Sequence, residues 1–352
     1  MSRLARHLFW LVGAAIGFVL LALLGLDSLV ALVSESTEMQ ADYGLPQVLF
    51  YILLKLPASA GEYAGFAALI GVMLGVGVLA NSGELIALRA AGLSIVRLGW
   101  LVLQPALLLI VVVALVTEFV APRLEQRAES ERHLLRHGAA ASGGAGFWVF
   151  DRGTFVRIGA VGPDGQLFGL ERYRVDAANS RLEASRAAVA EYERGQWRER
   201  ERAWTAVSPA GVEVGSVAVG IWQTGLQPRL LAISALEAGQ LSLRDLLRFS
   251  RYLGADQRRA REYRLALWQK ILAPLATASL ALVGLSFVLG SGRRVAVGER
   301  IFVGVMACTV IQLLQDIFGP ASVVWGFAAL WAVLAPIALT LGLGLALLRL
   351  RT

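Results

Sequence analysis

"LGWLVLQPALLLIVVVALVTEFVA", residues Leu98–Ala121, decides how the rest of the chain is to be read. Its first charged side chain is Glu118. A run of about 20 apolar residues is what an α-helix needs to cross roughly 30 Å of hydrocarbon. Inside a bilayer the backbone must satisfy its own hydrogen bonds, so such a run is a helix. Immediately after it, "PRLEQRAESERHLLRH" at Pro122–His137 is dense in charge, and the chain enters water.

Working outward, five more runs have the same character: Leu8–Val33, Pro57–Ala80, Leu265–Gly290, Gly298–Phe318 and Val323–Leu348. Three spans precede a long polar stretch and three follow it. The composition agrees, with 57% hydrophobic residues and a mean hydropathy of +0.62. The expected fold class is an α-helical membrane protein with six transmembrane helices and an inserted all-β, jelly-roll-like domain. Its expected parts are residues 1–121 with spans one to three and a cytoplasmic helix at about 82–93, residues 122–264 with the β-domain and flanking helices, and residues 265–352 with spans four to six.

Charge separates these parts and narrows the function classes. Of 33 basic and 26 acidic side chains, 22 and 17 lie within Pro122–Arg264. Because the two signs interleave there, the net +7 does not mark a nucleic-acid surface. The single cysteine, Cys308, excludes an intramolecular disulfide. Basic residues in short loops stay on the cytoplasmic side. Arg3 and Arg6 precede span one, Arg89 and Arg97 lie between spans two and three, Arg293, Arg294 and Arg300 between four and five, and Arg349 and Arg351 at the end. Glu35, Glu38, Asp42 and Asp316 mark the opposite side, where Lys55 is the lone short-loop cation. Both termini are therefore expected in the cytoplasm and the inserted domain on the far side, which is the periplasm if the cell is Gram-negative. The first run exceeds the 7–15 residues of a cleavable signal core and is expected to remain as a helix.

Between Gly146 and Pro228 short β-rich runs alternate with turn clusters. Expected strands are Phe147–Phe150, Thr154–Ala160, Gln166–Val175, Arg181–Glu193, Gln196–Val207 and Val212–Gln223, as a meander or jelly-roll-like sheet. Trp148, Phe155, Phe168, Tyr173, Tyr192, Trp197, Trp204 and Trp222 supply large apolar surfaces. They suit a packed sandwich core or a groove for an acyl chain, and sequence alone does not separate the two. Ser242 opens a short amphipathic helix in which Leu243, Leu246, Leu247 and Phe249 alternate with Arg244, Asp245, Arg248 and Arg251. Pro46–Leu54 is too short to span and is expected to lie along the outer interface.

Several chemistries are missing. There is no GxxxxGK[ST] phosphate loop, and the only lysines are Lys55 and Lys270, so any ATP must be hydrolysed by another subunit. His133 and His137 have a metal-like i, i+4 spacing, but Arg132 and Arg136 flank them, and no metal is expected. No Gly-x-Ser-x-Gly elbow occurs, and the acids in the apolar runs, Asp27, Glu62 and Glu118, are scattered. An intramembrane enzyme has little support, and no cofactor is called for.

The stretch "LANSGELIALRAAGLSIVRL", Leu79–Leu98, predicts a short helix capped by Asn81 or Ser82, with Glu84 near its start and Gly92 at its end. Leu85, Ile86, Leu88 and Leu93 give it apolar surface. Such a helix rests on lipid or slots into a cleft on a cytoplasmic partner.

Four motifs carry a resemblance: "LGVGVLANSGELIALRAAGLS" at Leu74–Ser94, "EFVAPRLEQ" at Glu118–Gln126, "LWQKILAPLATASLALVGLSFVLG" at Leu267–Gly290 and "LQDIFGP" at Leu314–Pro320. With the order of spans and β-domain, they make the whole chain resemble the LptF/LptG family of lipopolysaccharide-export permeases. The resemblance implies one half of an ABC-type exporter in the inner membrane, with an LptF-like paired permease, an LptB-like ATPase dimer and an LptC-like membrane-anchored periplasmic protein. It also implies that Glu84 is the acidic residue of an ATPase-coupling helix, with Leu85, Leu88 and Arg89 as neighbouring contacts. The β-domain would receive lipopolysaccharide, with Trp148 and Phe168 as candidate lipid contacts, and spans one and five would line the gates between subunits. The sequence departs from the family in having Gly83 before Glu84, where Ser is common, and acids in place of lysines beyond span one. Lys55, Lys270 and Arg264 become the candidate cations for lipid phosphates. The competing expectation is a scaffold or sensor whose β-domain binds a periplasmic protein.

Overall fold

The computed structural model describes residues 3–39, 43–137, 146–151, 153–162, 165–176, 181–209, 211–224, 226, 228, 231, 238–252, 257–290 and 297–349. Asp42, Arg293, Arg294 and Arg351 lie outside the described residues, as do the side chains of Ile86, Arg89, His133, His137, Phe249 and Arg251. In chain order the elements are α1 (Arg3–Ser36), α2 (Leu45–Asn81), α3 (Glu84–Ala90), α4 (Ile95–Phe119), α5 (Ala121–His137), β1 (Phe147–Asp151), β2 (Thr154–Val161), β3 (Leu167–Asp176), β4 (Arg181–Glu193), β5 (Gln196–Ser208) and β6 (Gly211–Trp222). A 3₁₀ turn at Ala238–Gln240 leads to α6 (Leu243–Tyr252), α7 (Gln257–Gly290), α8 (Val297–Trp325) and α9 (Ala329–Arg349).

Six helices are long and apolar enough to cross a membrane: α1, α2, α4, α7, α8 and α9. The chain is thus a helical membrane protein with an inserted β-domain. It divides into two compact units, one formed by Met1–Ala31, Leu56–Pro122 and Ser242–Thr352, the other by Leu32–Lys55 and Arg123–Leu241.

Two expectations about the spans need correction. Pro46–Leu54 is no separate interfacial segment: α2 runs unbroken through Pro57 for 37 residues. At 1.5 Å per residue that is about 55 Å of helix, well beyond the hydrocarbon thickness. A proline inside an apolar helix removes one donor but does not end it where neighbouring helices support the freed carbonyl. Likewise α8 passes through Pro320 and ends at Trp325, where Gly326 takes φ +79° and returns its N–H to Ser322 O at 2.9 Å. Arg261 donates to the Val323 carbonyl at 3.3 Å, adding a cation at the helix C-terminus. The break before α9 therefore falls at Gly326, later than the sequence suggested.

In the membrane-helix unit, glycines set the closest approaches. A Cβ on Gly71 would lie 2.4 Å from Ile16 Cα, and one on Gly75 would lie 2.9 Å from Val12 Cα. This Gly-x-x-x-Gly face of α2 admits the backbone of α1, the means by which helices pack in lipid without a hydrophobic driving force. Val12 and Ile16 belong to the same buried cluster as Ala68, Leu69, Val72, Met73 and Val76.

The other unit holds a six-stranded antiparallel sheet in the order β1-β2-β3-β4-β5-β6, a meander. Its strands fall within a residue of the expected bounds at every end. Register places Gly159, Gly169, Ala188, Glu201 and Ala218 in one row across β2 to β6, where pairing is interrupted, and the row meets Gly146 just ahead of β1. Gly169 and Glu201 have φ +63° and +54°. A Cβ on Gly146 would meet Ile158 O at 2.6 Å. Side chains alternate faces along a strand, so Ala187 and Ala190 would ordinarily point opposite ways. Both are buried in the same cluster, as are Leu167 and Leu170. The row is a crease at which the inward face changes phase in neighbouring strands together, leaving their register intact. Val156, Ile158, Trp197 and Trp222 complete that core, and Leu226 and Leu231, which follow β6, cover it.

Candidate functional site

The short helix α3 is built by its flanking glycines. Ser82 does not cap it, because its hydroxyl donates back to Leu79 O at 3.2 Å and closes α2. Gly83, with φ +77°, turns the chain, and its carbonyl accepts the Ala87 N–H at 3.1 Å, so Gly83 stands at the cap position expected for Asn81 or Ser82. Only a residue free of the Cβ penalty adopts that φ readily, which accounts for Gly before Glu84. At the other end Gly92 has φ +86° and Leu93 N donates to Leu88 O at 3.2 Å. Ser94 then caps α4 by accepting the Arg97 N–H.

Leu85 and Leu88 do not point away from the protein. They pack against a buried cluster of Leu8 from α1, Leu79 from α2 and Leu98 from α4. Glu84 is half exposed, and its Oε2 lies 3.6 Å from His7 Nε2 at the start of α1. The leucines hold the helix down while the carboxylate remains open to a cationic partner, the geometry in which an arginine fork can add charge-assisted hydrogen bonds.

The candidate cations are dispersed. Lys270 lies 3.6 Å from Glu118, with both side chains mostly covered. Glu118 also accepts the Leu243 N–H on both carboxylate oxygens, at 3.1 and 3.0 Å, and so caps α6. Ser242 and Asp245 complete the cap reciprocally: the serine hydroxyl donates to the Asp245 carboxylate at 2.7 Å and accepts its N–H at 3.2 Å. Arg264 is exposed, and its Nε donates to Ala260 O at 3.2 Å. Lys55 belongs to the other unit, with its ammonium 5.4 Å from the Tyr51 ring centroid.

Of the aromatic candidates, Trp148 is half exposed on the face of β1 opposite Phe147 and Val149, 5.8 Å from the Tyr173 ring. Phe168 is half buried and lies over Gly162. The inner face carries instead Trp197, whose indole donates to Leu226 O at 2.8 Å, and Trp222.

Three polar clusters escaped the sequence reading. Within the core of the β-unit, Glu199 is fully buried and 2.8 Å from Arg172, whose guanidinium lies 5.4 Å from the Trp222 ring centroid. Burial raises the Glu199 carboxyl, against the pull of Arg172 and Arg202, and lowers Arg172. In the same unit Arg132 on α5 meets Glu35 at 2.7 Å and Glu129 at 3.5 Å, and Tyr43 donates to Glu35 at 3.1 Å. Burial and then Glu35 push the Tyr43 phenol above its ordinary range. A cavity of about 190 Å³, lined in part by Tyr43, Phe50, Tyr51, Leu54, Arg132 and Leu135, adjoins it. In the helical unit, Asp27 accepts from Ser59 at 2.8 Å and Tyr63 at 2.9 Å. Asp27 and Glu35 were legible as acids, but their partners lie too far along the chain to be named without the fold. Among the described residues, no group of three or more His, Cys, Asp or Glu could hold a metal ion.

Comparison with known proteins extends this geometry. Residues 6–350 match the family described as lipopolysaccharide export system permease LptF/LptG. Lipopolysaccharide export system permease protein LptG of Escherichia coli K12 is 31% identical over 339 residues, 95% of this chain and 94% of that protein. LptG of Haemophilus influenzae Rd is 27% identical over 339 residues, 95% of each chain. The long spans, the creased sheet between the third and fourth of them, and the glycine-bounded α3 are thus features of a chain that belongs to the LptF/LptG family of lipopolysaccharide export permeases.

Proposed function

We propose that this chain is one permease subunit of an ABC-type exporter that extracts lipopolysaccharide from the inner membrane of a Gram-negative cell. An LptF-like subunit pairs with it, an LptB-like ATPase dimer drives it, and an LptC-like protein receives the lipid for a bridge toward the outer membrane. The observation that carries the reading is α3: Glu84 stands half exposed while Leu85 and Leu88 anchor its helix on Leu8, Leu79 and Leu98. Arg89 is assigned to the ATPase contact with Glu84, and Leu85 and Leu88 to holding that contact in place.

The basic short loops support α3 and both termini on the cytoplasmic side and the β-domain on the periplasmic side. The chain has no phosphate loop, so hydrolysis belongs to the partner. Moving acyl chains out of a membrane costs about 0.8 kcal/mol per CH₂ exposed, a demand that apolar helices and an external ATPase meet together. Lys55, Lys270 and Arg264 are the cations assigned to lipid phosphates, and Trp148 and Phe168 to the acyl portion.

One observation favours the alternative, a scaffold whose β-domain binds a periplasmic protein: Leu226 and Leu231 cover the inner face of the sheet. Photocrosslinkers placed at Trp148 and Phe168 in membranes holding the assembled complex distinguish the two. An ATP-dependent lipopolysaccharide adduct is expected for an exporter. No adduct from either position while ATP is being hydrolysed would leave the β-domain as a packed scaffold.

A further inference from the structure

Asp27 lies within α1 as an intramembrane carboxylate, and both its oxygens are engaged: Oδ2 by the Ser59 hydroxyl at 2.8 Å and Oδ1 by the Tyr63 hydroxyl at 2.9 Å. An unpartnered aspartate inside a span is disfavoured, so these two α2 hydroxyls are not readily released. Farther along the same pair of helices, Ile16 and Val12 approach the backbone of Gly71 and Gly75 too closely to admit a Cβ. At the start of α1, Leu8 is fully buried with Leu79, and Leu85 and Leu88 of α3 pack on them, with His7 beside Glu84. The exposed His7–Glu84 pair contributes little by itself, and the leucines carry this end.

These contacts span about 30 Å of helix, from residue 7 to residue 27. They recur at the two ends and the middle. The other face of α1 is bare: Phe18, Leu21 and Leu29 are all more than 60% exposed. A helix held by its neighbour at three levels between residues 7 and 27 moves with that neighbour over this stretch.

We propose that Asp27 is a positioning residue that locks α1 onto α2, so that α1, α2 and α3 move as one rigid lever. Displacement of Glu84 then reaches the far end of span one without a hinge between the first two spans. The inference rests on the coupling role assigned to Glu84 above.

The test uses the full complex of permease pair and ATPase reconstituted in lipopolysaccharide-containing vesicles. Asp27→Leu is expected to lower lipid released per ATP hydrolysed about tenfold, with ATPase binding unchanged. Asp27→Asn, which keeps an acceptor for one hydroxyl, is expected to recover part of that ratio. The pair D27C/S59C replaces the Asp27–Ser59 hydrogen bond by a covalent bond when oxidised. Oxidation is expected to leave release per ATP within about twofold of wild type, because the lever has no internal motion to block. Release that stops on oxidation and returns with reductant would show that the two spans separate during the cycle, and the proposal would fall. Wild-type release per ATP in D27L would also remove it. Glu84→Arg, run in parallel, tests the coupling role separately: an ATPase that stays bound to E84R overturns that role, whatever the Asp27 variants do.

Discussion

Glu199 and Arg172 form a salt bridge of 2.8 Å in the core of the β-unit, where the carboxylate is fully buried and the arginine nearly so. Removing one member of such a pair leaves an uncompensated charge, whereas replacing both by apolar residues can be close to neutral. Arg172→Leu or Glu199→Leu alone is expected to destabilise the unit by about 3–5 kcal/mol, and the double substitution to recover most of it. Denaturation of the full-length protein followed by tryptophan fluorescence checks this. Additive losses in the double variant would mean that the two side chains do not depend on each other.

The same pair makes a pH prediction. Burial raises the Glu199 carboxyl in the folded state, so the folded protein holds that proton to higher pH than the unfolded chain does. Stability from this group is fully present below the unfolded carboxylate range and is lost as pH rises through the folded value. The stability of wild type relative to E199Q is therefore expected to fall on going from below the carboxylate range to above it. A difference that rises with pH would reverse the assigned direction.

At Gly83 the prediction is conformational. Alanine at φ +77° is disfavoured by about 1 kcal/mol or more, and asparagine by less. Gly83→Ala is expected to weaken ATPase association more than Gly83→Asn, with the thermal stability of the spans little changed. Equal binding by Gly83→Ala and wild type would show that the turn does not set the presentation of Glu84.

Glu118 caps α6 through Leu243 and pairs with Lys270. Glu118→Ala is expected to destabilise this region by about 1–3 kcal/mol and to speed amide exchange at the first turn of α6, with Glu118→Gln in between. Unchanged protection of Leu243 in Glu118→Ala would show that the cap contributes nothing.

The clasp between α1 and α2 is tested by matched glycines. Gly71→Ala places a methyl of α2 against the Ile16 backbone, whereas a methyl on Gly25 of α1 would meet nothing within 4 Å. Gly71→Ala is expected to lower stability by about 1–3 kcal/mol and Gly25→Ala to leave it unchanged or slightly higher. Similar melting for the two variants would argue against close backbone packing.

Much of this fold was legible because its signals are local. Strand ends carry turn residues, so β4 fell at Arg181–Glu193 from sequence as in the structure. The crease was not legible: Gly159 and Gly169 hint at it, but Ala188 and Glu201 look like ordinary strand residues, and only register puts them in one row. Proline misled at Pro57 and Pro320, where tertiary support carries the helix through. At α3 the helix and its acid were visible, yet Ser82, the residue with capping chemistry, bonds backward and the glycine beside it does the turning. The partners of Asp27 and Glu199 required the fold, since a hydrogen bond from Tyr63 or Arg172 leaves no trace at that separation in sequence.

The most direct measurement is co-purification of an LptB-like ATPase with the assembled permease pair, comparing wild type with Glu84→Arg. The wild-type complex is expected to retain the ATPase and E84R to lose most of it while still pairing with its LptF-like partner. Full retention of the ATPase by E84R would contradict the assignment of α3 as the element through which this permease is driven.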